Sequence, residues 1–260
     1  MPVTIEVKSG DAVLKGHRKM VAQRVLDHLG PCLPNSRALC FLDDEDPPEL
    51  RREHGPANRG GYMVVHDEGY LDGWPSYVRE CVCPSDRFGH RTRVIDDLVY
   101  LYGSTCADEV GLTMTLAHEL QHAIQHGKER KVWAVNSLIA NDLSRRTIAA
   151  LKLKWSDIPI EVEARIVSKH VAESIFDEQR VTHHIDTKIA ERITEADSAD
   201  WQYIRTLTVS TTIDLAAETQ QLLKRLKGFR LELENALQEK RQNPDYADIV
   251  LDAFSLGDLD

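Results

Sequence analysis

Val3, Ile5 and Val7 alternate with Thr4, Glu6 and Lys8, a period of two that predicts a strand over residues 2–8. Gly16 to Leu29 reads as a helix, and Ala38 to Leu42 as a short strand ahead of the acidic, proline-containing loop Asp43 to Pro48. Gly61 to His66 and Val94 to Tyr102 are two further apolar runs of β character. Beyond residue 104 the period lengthens. Ala117, Leu120 and Ile124 recur at helical spacing, with Thr105-Cys106-Ala107-Asp108 as a capping box before them and Gly127 as the terminator after them. Val132 to Leu153 is expected to be helical, as is a segment opened by Ser156 or Asp157 with Pro159 and running to about Asp177. Asp186 to Ala199 and Ile213 to Arg241 follow, the latter carrying Leu222, Leu223, Leu226, Phe229, Leu231 and Leu237, with Gly228 expected to kink or split it. The heptad spacing there is imperfect, which favours a packed helical subdomain over a coiled-coil dimer.

The pattern predicts an α+β fold with a mixed α/β part over 1–104, a set of helices over 105–185, and a helical C-terminal region over 186–260. The last stretch, 242–260, holds five Asp and no Glu, Lys or Arg, which makes an acidic tail. At 260 residues, 42% hydrophobic and 28% charged, the chain has an ordinary globular composition. No apolar run approaches the 18 residues that a membrane span needs. The N-terminal segment reads as a strand and not as a charged lead into an apolar core, so no secretion signal is expected. Five cysteines, at positions 32, 40, 81, 83 and 106, lack the paired two-residue spacing of a zinc knuckle and read as reduced structural thiols. A cytoplasmic location is the expectation from these features. The formal charge of −10 argues against nucleic acid as a partner, and Arg51, Arg52, Arg59 and Lys224, Arg225, Lys227 read as solvated faces.

The chemistry concentrates in His118-Glu119-Leu120-Gln121-His122. Two imidazoles four residues apart on a helix point the same way and can share one ion, while Glu119 sits about 100° round the barrel beside them. Eleven His and 19 Glu in 260 residues give such a pentapeptide by chance in roughly 3% of chains, so the surrounding helix signals have to carry part of the inference. The competing reading is an ordinary amphipathic helix with two partner-satisfied histidines. His126 is a poor further ligand, because it lies about 12 Å along the axis from residue 118. A cap at the helix end suits it better.

Two carboxylates downstream compete for the third position, Glu161 and Glu163. Being two apart they diverge by about 200°, so only one can face the metal. Ala164, Ser168 and Ala172 make a thin stripe near the Glu161 face that lets two helices approach, whereas Ile166, Val167 and His170 crowd the Glu163 side. Glu161 is therefore the preferred ligand and Glu163 the alternative, with helix-dipole complementarity as a purely structural role for either.

His118-Glu119-x-x-His122 followed some forty residues later by Glu161-x-x-Ala164 resembles the gluzincins, the zincin peptidases whose third ligand is a glutamate. The lead-in Thr115-Leu116-Ala117 is similar to that of ImmA/IrrE-type metallopeptidases, over about residues 95–178. Arg165 departs from those families, which carry Asn or Asp at that position. The resemblance implies a zincin-like catalytic core over 1–185 and a hydrolase of the metalloprotease class. Zn²⁺ would be held by His118, His122 and Glu161, and Glu119 would be the general base that activates water. It also implies that the strand ahead of the active helix, Leu98 to Tyr102, is either the edge that pairs with an extended substrate or a plain core strand. Arg165, His170, His183, His184 and Tyr203 are the candidates for stabilising a transition-state oxyanion.

The expected function is thus an intracellular zinc endopeptidase acting on a protein or peptide substrate, with neither nucleic acid nor membrane as a partner. It could cleave one regulatory partner protein, and the C-terminal helices are a candidate surface for a regulatory partner. The alternative is a catalytically silent, zincin-like protein-binding module. Hydrolysis of a non-peptide amide is a third reading that shares the chemistry.

Overall fold

The structure, a computed structural model, describes residues 5–9, 12–30, 37–42, 59–64, 74–92, 94–95, 97–102, 108–142, 145–208, 210–229, 231–232 and 235. Four strands form one sheet: β1 (Ile5–Ser9), β2 (Arg37–Leu42), β3 (Gly60–Val64) and β4 (Asp97–Tyr102), in the order β1-β2-β4-β3. β1, β2 and β4 run parallel, with Ile5 opposite Arg37 and Arg37 opposite Asp97. β3 pairs antiparallel with β4, Tyr62 lying opposite Val99. Helix α1 (Ala12–Leu29) makes the connection between β1 and β2 that parallel strands require. All six residues of β4 are buried, as expected of an interior strand. It is flanked on both sides, so of the two roles open to Leu98–Tyr102 it takes that of core strand; among the described residues the sheet edges are β1 and β3.

Leu98, Tyr100 and Tyr102 alternate along β4 onto one face. They pack there with Trp74, Cys81, Cys83 and the buried side of α2 (Ser76–Val82), a short helix that the hydrophobic pattern did not reveal. Trp74 meets Tyr100 edge-on, with ring centroids 5.0 Å apart. The other cysteine side chains, the loop 43–48, Thr105–Ala107 of the expected capping box, and the acidic tail lie outside the described residues.

The further helices of the described chain are α3 (Glu109–Lys128), α4 (Arg130–Asp142), α5 (Arg145–Ala150), α6 (Pro159–Ile175), α7 (Glu178–Glu191), α8 (Glu195–Thr206) and α9 (Leu215–Leu226). Several boundaries differ from the sequence reading. Gly127 does not end α3, which continues to Lys128 and is followed one residue later by α4; Glu129 N–H still donates to Gln125 C=O at 2.8 Å. The segment 132–153 forms two helices, α4 and α5. The segment 186–199 straddles the break between α7 and α8. There Arg192 takes a left-handed conformation (φ 49°, ψ 47°) and Thr194 starts a new helix by accepting from Asp197 N–H. At Gly228, α9 gives way to a 3-10 turn over Lys227–Phe229, in keeping with a split helix.

The chain divides into two compact units. In the first (1–123 and 167–209), besides the sheet cluster, a second core joins Val110 and Met114 of α3 to Ala172 of α6, Val181 and Ile185 of α7, and Trp201 and Ile204 of α8. Arg59 is not a solvated cation: it pairs with Asp197 and lies 4.2 Å over the Trp201 ring. In the second unit (124–166 and 210–260), Ala134, Val135, Leu138 and Ile139 of α4 pack with Leu153, Ile158, Ile160 and the buried face of α9. Asn136, fully buried, donates to Thr219 Oγ1 at 2.8 Å within that core.

Candidate metal centre

Helix α3 starts at Asp108, whose carboxylate accepts from Gly111 N–H at 2.8 Å. Asp108 is thus the N-cap, one helical turn later than the role the sequence assigned to Thr105. Its other oxygen lies 3.2 Å from Nδ1 of buried His184. Burial pushes the Asp108 carboxyl up, but the bonds from His184 and Gly111 N–H and the charges of His184 and Lys188 outweigh it and hold the group at about 2. The N-terminal end of the motif helix is thereby fixed to α7.

From Val110 to Ile124 and on to Gln125, every residue of α3 is buried except His118, which is half-exposed. Six of these buried side chains are polar: Thr113, Thr115, Glu119, Gln121, His122 and Gln125. Burying that many polar groups on one helix is costly unless each is used. The most exposed position of the run, His118, is a candidate ligand.

Nε2 of His118 and Nε2 of His122 are 3.2 Å apart, their rings perpendicular. Two nitrogens bound to one zinc at about 2.05 Å and the tetrahedral angle would be about 3.3 Å apart, so the pair already has the spacing of two ligands on one ion. Glu161 completes the group: one atom from each of His118, His122 and Glu161 lies within 4.8 Å of the others. Closing the carboxylate onto an ion takes a shift of about 1.5 Å at most, within reach of side-chain torsion. Glu161 is 5% exposed in the first turn of α6, where Pro159 opens the helix and a negative charge is favoured by the dipole.

Glu163 has a different role. Its carboxylate accepts from Gln125 Nε2 at 2.8 Å, and the same amide donates to Ile160 C=O at 2.9 Å. Gln125 ties the last turns of α3 to the first turn of α6, a function the sequence reading had not given it. His126 lies against Trp133, ring centroids 4.6 Å apart, and is not part of the metal group.

No protein-family model matches this chain, and no curated protein or solved structure matches it. The gluzincin resemblance therefore rests on the motif and its geometry. Among the described residues no helix is long and apolar enough to cross a membrane.

The oxyanion candidates separate in the structure. His184 serves Asp108 and packs edge-on against Trp201, and Asp108 is ten residues, about 15 Å, up the helix from His118. His170 Nε2 is 2.9 Å from Thr208 C=O. His183 is exposed and Tyr203 half-buried. Arg165 stands beside a member of the metal group: its Nη1 is 3.4 Å from Glu161 Oε2, and both side chains are 6% exposed. One turn on, buried Lys169 donates to Leu207 C=O and lies 3.6 Å from Glu173. Glu161, Arg165, Lys169 and Glu173 thus form two ion pairs along one face of α6. Their spacing of four was visible in the sequence, and their burial was not.

Proposed function

We propose that the chain is a zinc-dependent endopeptidase of gluzincin type, similar in its motif to the ImmA/IrrE metallopeptidases and acting on protein or peptide in a reducing compartment. The observation that carries this reading is the 3.2 Å approach of the two Nε2 atoms with Glu161 in reach. Two imidazoles and one carboxylate suit zinc better than magnesium or calcium, which prefer all-oxygen shells. Zinc held by these three residues would supply a Lewis acid with an open fourth position.

The chain's own residues then have distinct tasks. His118 and His122 present lone pairs from adjacent turns of a helix that is buried along most of its length and therefore rigid. Glu161 brings the negative charge from α6. Glu119, buried beside His118, takes a proton from the attacking water and returns it to the leaving amide nitrogen, which commits the cleaved bond.

Replacing Glu119 with Gln tests this directly, because shape and metal ligands are kept while the proton acceptor is lost. The Glu119→Gln chain should retain one zinc by metal analysis and lose cleavage of a mixed peptide library by about 100-fold or more. Cleavage at the wild-type rate with zinc still bound would refute the assignment.

A further inference from the structure

Glu161 is buried, and a buried carboxylate without a counter-charge is costly. In this chain the counter-charge is built in. Arg165 lies one turn further along α6, equally buried, with Nη1 at 3.4 Å from Glu161 Oε2. The next cation, Lys169, has its own acceptors in Glu173 and the Leu207 carbonyl.

We propose that Arg165 is an internal competitor of the metal: its guanidinium neutralises Glu161 in the metal-free protein and weakens zinc binding at His118, His122 and Glu161. This rests on the metal-site reading given above. Two effects act in the same direction. An arriving dication has to share or displace the guanidinium at the Glu161 carboxylate. It also comes within roughly 5.5 Å of that charge, since a zinc–oxygen bond is about 2 Å, and in a buried site the repulsion is poorly screened. The metal-free form is therefore stable in its own right, and the site responds to zinc concentration instead of being permanently loaded. Arg165 is a positioning and tuning residue, not a ligand.

The test is a zinc titration of the full chain, stripped with chelator, against a competing zinc indicator. Wild type, Arg165→Met and Arg165→Gln are compared, each with and without His118→Ala. The glutamine keeps a donor without the charge and guards against a methionine variant that does not fold. Either neutral variant should bind zinc at least tenfold more tightly than wild type, and its metal-free form should melt at a lower temperature than the wild-type metal-free form. Equal or weaker binding would overturn the proposal and make Arg165 a simple support for Glu161. Tightening that persists with His118→Ala would place the zinc elsewhere and sink the metal-site reading itself. No zinc bound by any variant sinks both.

Discussion

Glu161 and Glu163 are two residues apart on one helix, and the structure gives them opposite consequences on truncation. Glu161→Ala removes one of the three proposed ligands and takes from buried Arg165 the carboxylate that lies 3.4 Å from its Nη1. Breaking a buried ion pair by removing one partner costs about 3–5 kcal/mol. The 3.4 Å separation puts this pair near the lower end, about 3 kcal/mol. In a domain of this size that is roughly 6–12 °C in Tm. Zinc affinity should fall well beyond the 10–100-fold typical of losing an outer-shell partner. Glu163→Ala removes one of two acceptors for Gln125 Nε2; the Ile160 carbonyl remains. The cost is that of one hydrogen bond to a charged group, about 1.5 kcal/mol, with zinc affinity within a few-fold of wild type. Both are read from indicator competition for zinc and from melting of the metal-free chains. Loss of zinc in Glu163→Ala, or its retention in Glu161→Ala, would show that the ligand set has been drawn from the wrong carboxylate.

Asp108→Asn keeps the helix cap but removes the charge that His184 faces. The native carboxyl is held at about 2, below its ordinary value of 3.8, so its stabilisation is fully present above pH 4 and is lost as pH falls through 2. The stability gap between wild type and variant, followed by circular dichroism, should shrink as pH falls from 4 and close near pH 2. A gap that widens on acidification would contradict the pairing. In β3, a Cβ at Gly60 would lie 2.4 Å from the Tyr100 carbonyl oxygen, which cannot move without breaking the β3–β4 ladder. At Gly61 it would lie 2.5–2.9 Å from the Tyr100 ring, a side chain that can give only by repacking against Trp74. Gly60→Ala should therefore cost more in urea unfolding than Gly61→Ala, the latter about 1–3 kcal/mol by overpacking; the reverse order would count against this packing.

The elements that the sequence revealed are those with a strong local period. All four strands lie where alternation or a short apolar run placed them, and α3 and α6 follow the 3.6 period with Pro159 at the start of α6. The failures are equally local in origin. The break at Arg192 has no Gly or Pro to announce it; a left-handed arginine and the Thr194 cap make it, and a period of 3.6 runs through both without a visible fault. Gly127 reads as a terminator only if it takes a positive φ, and here the chain stays helical. The position of β4 in the sheet depends on non-local pairing, which no window of the sequence contains. The same holds at the metal group. The spacing of His118 and His122 is a property of one helix and was legible. The division of labour between Glu161 and Glu163 depends on Gln125, and on Arg165 being buried, both tertiary facts.

The remaining question is whether the two histidines are a ligand pair or merely satisfy one another. Two Nε2 atoms 3.2 Å apart can share one proton or one ion. Sharing a proton requires one ring to donate from Nε2 and the other to accept, an asymmetric tautomer pair that a helix interior could supply at little cost. It gives no reason for a carboxylate to join them, and none for the opening of α3 to fall at His118, the most exposed residue of its buried run. Sharing an ion explains both: the third donor completes the charge, and the half-exposed ligand gives a substrate its approach. A purely structural pair would be expected deep in the core with its polar atoms enclosed. The location of the opening, more than the pentapeptide, is what favours a working centre.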